Sequence, residues 1–92
     1  MTEPADILKA NLEANRELQL QVGERIYVVE RFGFFGYILV FPYTVVSVGK
    51  DKMFGITDEG RMILHDLETA KIFRTKEEAD AEAERMISTL KK

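Results

Sequence analysis

The chain has no cysteine, which removes disulfide cross-links, a thiolate nucleophile and a cysteine-ligated zinc site together. Core packing must hold the fold. Histidine is nearly as scarce: His65 is the only one, and Asp66 beside it would point to the opposite face of a strand, so the two cannot readily share a metal or a proton. No serine–histidine–aspartate set has a supporting motif, no glycine loop carries the lysine and hydroxyl that cradle phosphate, and no helical pair of metal ligands occurs. A non-enzymatic protein with no cofactor and no metal is therefore expected. Positive charge is also short. The 13 Lys and Arg stand against 16 Asp and Glu, a net charge of −3, which gives no general attraction for nucleic-acid phosphate. A basic, apolar leader with a small-residue cleavage site is missing too, so a cytoplasmic protein is expected.

What the chain has in quantity is apolar surface, concentrated in residues 32–48 (FGFFGYILVFPYTVVSV), a run without Lys, Arg, Asp or Glu. Its length lies near the lower end of the roughly 17–25 residues a spanning helix needs. Two glycines, Pro42 and a majority of β-branched and aromatic residues instead favour a strand from Tyr37 onward, with no membrane span. Alternate positions Ile38, Val40, Thr44, Val46 and Val48 then line one face, and Tyr37, Leu39, Phe41, Tyr43 and Val45 the other. Both faces are apolar. Two helices would most simply share one face, leaving Tyr37, Leu39, Phe41 and Tyr43 to be covered in another way. Either the sheet curls, as Gly33, Gly36 and Gly55 allow, or this face meets another chain, for which a second copy in a homodimer is the simplest choice.

Ninety-two residues suit one α+β domain, 1–92, in the order N-terminal helix, four-stranded antiparallel meander, C-terminal helix. Thr2 caps the first helix ahead of Glu3 and Pro4. Ile7, Leu8, Leu12, Ala14 and Leu18 make its apolar stripe, and Asn11 and Asn15 fall inside that stripe, four residues apart. The asparagines are expected at the wet margin of the packed helix; the alternative is a partner-contact surface formed with Arg16. Residues 24–31 (ERIYVVER) read as a strand with charged ends, and 32–36 as its turn into the long strand. Two further strands follow at 53–57 and 61–66, and Gly60 closes the turn between them with positive φ. Thr75, Lys76, Glu77 and Glu78 fit a capping box, and Ala79, Ala83, Met86, Ile87 and Leu90 continue at helical spacing, predicting a helix over 76–90. Its acids form a solvated face, of which Glu77, Asp80 and Glu84 become a contact surface if the partner is basic.

Ala70, Phe73, Thr75, Glu77, Glu78 and Ala79 stand in the order A-x-x-F-x-T-x-E-E-A behind a short meander. Over residues 53–86 this resembles a module common in small uncharacterised proteins of bacteriophages and prophages. The resemblance implies a structural role for the motif and a phage accessory protein of the kind that binds and inhibits a host enzyme or a bacterial defence system, anti-CRISPR proteins included. The expected function is thus a non-enzymatic protein-binding inhibitor. Its expected contacts are Tyr37, Leu39, Phe41 and Tyr43 on the long strand, Phe34 and Phe35 in the turn, Asn11 and Asn15 on the first helix, and Glu77, Asp80 and Glu84 on the last. The competing expectation, of another class, is a small nucleic-acid-binding regulator using Arg25, Arg31 and the aromatic turn.

Overall fold

The computed structural model describes residues 4–32 and 36–90. They form α1 (Pro4–Glu17), β1 (Arg25–Phe32), β2 (Tyr37–Val48), β3 (Lys52–Ile56), β4 (Met62–Asp66), β5 (Lys71–Phe73) and α2 (Lys76–Leu90). The expected cap Thr2, the turn residues Phe34 and Phe35, and the tail lysines Lys91 and Lys92 lie outside the described residues. All strands join one antiparallel sheet in the order β4-β3-β2-β1-β5. The meander therefore has a fifth strand. Lys71, Ile72 and Phe73 pair with Val29, Val28 and Tyr27; three residues are too short for an alternation signal, and they become a strand because β1 offers them a free edge.

The connection from β4 to β5 forces the sheet to curl. Those strands lie at opposite edges, four spacings or about 19 Å apart if the sheet were flat. Residues 67–70 alone join them, and the amides of Thr69 and Ala70 donate back to the Asp66 carbonyl at 3.1 and 2.8 Å, so the link is a folded turn rather than an extended span. The two edges must approach each other, which gives the sheet a concave and a convex face. A bulge between Val45 and Ser47 helps the bend. It also changes the face of Val48, which pairs with Met53 as Val45 pairs with Gly55, so Val45 and Val48 share a side that strict alternation would have denied them. Gly55 is required where it stands: a Cβ there would lie 3.0 Å from Tyr43 Cβ.

The two helices cover opposite faces instead of sharing one. On the concave side Ile26, Val28, Tyr43, Val45, Met53, Leu67 and Ile72 form the main core, closed by Leu12 of α1 and by Leu18 and Leu20 behind it. On the convex side Val29 packs with Ala79 and Ala83 of α2, flanked by Tyr27, Ile38, Val40, Phe73 and Met86. Small side chains at 79 and 83 let the helix lie close to the strands. Its start is fixed by Thr75, whose Oγ1 accepts the Glu78 amide at 3.2 Å and donates to Glu78 Oε1 at 2.8 Å. The carboxylate thus grips the cap's hydroxyl, not its backbone amide. Among the described residues no helix is long and apolar enough to cross a membrane.

Asparagine side chains dock α1. Asn15 Nδ2 donates to the carbonyls of Leu67 and Ala70 at 2.7 and 2.8 Å, and Asn11 Nδ2 lies 2.9–3.2 Å from those of Leu67, Glu68 and Ala70. These amides satisfy the tight β4–β5 turn, whose carbonyls have no strand to pair with. Asn15 is therefore buried and not at a wet margin, Asn11 is half-buried, and both side-chain amides are engaged within the chain. Arg16 is likewise engaged, forking onto the Lys50 carbonyl at 3.0 and 2.8 Å. Ile7, Leu8 and Ala14, expected in the apolar stripe, are exposed, because the asparagines take the docked face.

Candidate functional site

The register of β1 and β2 sets four facing pairs along the concave side: Ile26 with Tyr43, Val28 with Phe41, Glu30 with Leu39, and Phe32 with Tyr37. The first two pairs lie under α1 and the β4–β5 turn. Beyond them the cover ends. Phe32, Leu39 and Tyr37 remain 44, 48 and 66% exposed, an apolar band at the open end of the curl.

Beside that band lies a cleft of about 620 Å³, walled by Glu30, Phe32, Phe41, Tyr43 and Ile63, with Arg61 and the β3–β4 turn at its rim. Phe32 and Phe41 stand on either side of the Glu30 row, and their rings meet edge to face with centroids 5.6 Å apart and planes at 82°. Both rings line the cleft that Glu30 also lines. Glu30 Oε2 accepts a hydrogen bond from the Tyr43 hydroxyl at 3.2 Å. Its Oε1 is 3.8 Å from His65 Nδ1, beyond hydrogen-bond reach. The Tyr43 ring meets the His65 ring edge-on at 4.5 Å.

Burial sets the protonation of this group. It pushes the Glu30 carboxyl above its ordinary value, an effect the Tyr43 hydrogen bond partly offsets. Burial, and then the neighbouring Glu30 charge, push the Tyr43 phenol up to about 12. The His65 imidazole is driven down by burial; it is 5% exposed, and its Nε2 has no hydrogen-bond partner. A neutral histidine therefore stands behind a carboxylate that no cation among the described residues neutralises. Among the described residues no three His, Asp or Glu side chains gather as metal ligands.

Of the residues expected to meet a partner, Tyr37 and Leu39 are exposed in the band and Phe41 is half-buried in the cleft wall. Tyr43 is not available: it is buried in the main core, and only its hydroxyl reaches toward the cleft. Curling of the sheet, not a second molecule, covers it. On α2, Glu77 and Glu84 are exposed, while Asp80 is paired with Lys76 at 2.8 Å; all three stand far along the chain from the cleft residues and line none of its wall. Arg25 is paired with Asp58 at 3.1 Å and lies over the Tyr27 ring, so it is not a free contact for phosphate. Two features escaped the sequence. Glu30 read as the charged end of a strand, although it alternates with Ile26 and Val28 and so had to face the core side. Phe54, Met62 and Leu64 form a second exposed apolar group on the convex face of β3 and β4, past the reach of α2; their alternation with Met53, Ile63 and His65 was the available signal.

Comparison with protein-family models, with curated proteins and with solved structures finds no match for this chain.

Proposed function

We propose that this chain is a non-enzymatic protein-binding module whose contact surface is the open end of the curled sheet. The observation that carries the reading is the band of Phe32, Tyr37 and Leu39, which stays exposed although the same face of the same two strands buries Ile26, Val28, Tyr43 and Val45. Contiguous apolar patches left exposed on a surface mark contact sites, and tyrosine is among the side chains that anchor them. The phage-like motif at residues 70–79 supports a narrower reading, a cytoplasmic inhibitor carried by a phage and directed at a host enzyme or a defence system of the bacterial cell. The net charge of −3 and the engaged Arg25 favour a protein target over nucleic acid.

The test uses Tyr37→Ser with Leu39→Ser. Both side chains are largely in solvent, so the double variant should keep the parent's circular dichroism and melting curve. The expected result is a bacterial protein retained by the parent, lost from the double variant and reconstituted as a complex from the two purified components. Retention of the same proteins by both forms would remove the band from the interface. Light scattering over a dilution series settles the remaining occupant: a monomer assigns the band to a different protein, and a dimer that the double variant dissolves assigns it to a second copy.

A further inference from the structure

We propose that the cleft at Glu30 is a binding site for an organic cation: an alkylammonium or guanidinium head on an apolar stem, the group that a lysine or arginine side chain of a protein partner presents. This deepens the protein-contact reading and rests on it for the identity of the partner. Three observations converge on the chemistry. The first is the carboxylate itself. Glu30 sits on a core-facing strand position with its side chain 23% exposed, and acids withdrawn from water in this way are normally paired. Its nearest candidate, His65, is 3.8 Å away and held neutral by burial. Oε1 therefore has no cation and no hydrogen bond among the described residues.

The second observation is the pair of rings. A cation is drawn to the electron-rich face of an aromatic side chain, and Phe32 and Phe41, nearly perpendicular at 82°, line the same cleft as the carboxylate. The third is the balance of charge around the opening. Glu30, Asp58, Glu59 and Arg61 all line the cleft, and Asp58 is already engaged by Arg25. That leaves two acids against one base. Ile63 and Pro42 in the cleft lining supply apolar surface for the stem, while the exposed band beside them takes the residues that flank such a side chain.

The test is a titration of the intact protein, followed by the NMR shifts of its amide and aromatic groups, with choline, butylammonium and butylguanidinium. The uncharged shape match of choline, 3,3-dimethylbutanol, serves as the control. Saturable shifts centred on Glu30, Phe32 and Phe41 are expected for the cations, with the alcohol weaker by about tenfold, as loss of both the ring and the carboxylate attraction implies. Glu30→Gln, which keeps an acceptor for the Tyr43 hydroxyl, should weaken the cations by a similar factor and leave the alcohol unchanged. Phe32→Leu, at a position 44% exposed, should weaken them as well and keeps the test decisive if Glu30→Gln fails to fold. Absence of saturable shifts, or equal binding of choline and the alcohol, overturns the cation site. Because no partner protein enters the titration, that failure leaves the contact band standing, whereas the band fails only in the comparison of Tyr37→Ser/Leu39→Ser with the parent.

Discussion

At one end of the β1–β2 ribbon Ile26 and Val28 face Tyr43 and Phe41 and are sealed from water; at the other, Glu30 and Phe32 face Leu39 and Tyr37 and are not. Alternation is the same throughout. What differs is the cover, which α1 and the β4–β5 turn extend over only the first half of the ribbon. The period of a strand tells which side a residue faces, and nothing in it tells how far a covering element will reach. An apolar row can therefore be buried core at one end and exposed surface at the other.

Stability should follow this division. Ile26→Ala removes a fully buried side chain from the closed end and should cost about 2–5 kcal/mol in urea unfolding; a loss below about 1 kcal/mol would mean that the closed end is not the core. Asn15→Ala should come next, at about 1–3 kcal/mol, because the carbonyls of Leu67 and Ala70 lose a buried donor. A coincident melt would show that α1 is held by its leucines alone.

The same contrast decides what could be read from the sequence. The helix at 76–90 was legible because its cap, its acids and its alanines act within a few residues of one another, and the long strand was legible because β-branched residues fill it. The docking of Asn11 and Asn15 was not, since their partners are carbonyls of a turn more than fifty residues later that exists only once the sheet has curled. β5 was hidden for the same reason. The alternation put Tyr37, Leu39 and Phe41 on one face, as the register has them. The burial of Tyr43 and the inward position of Glu30 were not legible, because both depend on the curl that turns the concave face partly inward.

Two smaller effects sharpen the comparison. Thr75→Ala should cost about 1 kcal/mol through the lost cap, a local effect that leaves the open end untouched; unchanged melting would place the start of α2 elsewhere. Tyr37→Ser with Leu39→Ser should shift stability least, within about 0.5 kcal/mol per site, as expected for surface substitutions. Unfolding of that variant would make the band part of the core.

The central claim is that Glu30 is kept at the open end for contact and not for stability, and unfolding of Glu30→Gln at two pH values tests it most directly. Burial raises the folded-state pKa of Glu30 above its ordinary 4.5, so the native protein holds that proton more tightly than the unfolded chain. Stability from this group is present below its unfolded pKa and is lost as pH rises through the raised folded value. Glutamine mimics the protonated form at every pH and retains an acceptor for Tyr43. The account predicts a higher urea midpoint for Glu30→Gln than for the parent at about pH 8, with the gap closing toward about pH 4 as Glu30 takes up its proton. A lower midpoint for Glu30→Gln at the higher pH would contradict it, because the charged carboxylate would then be stabilising the fold.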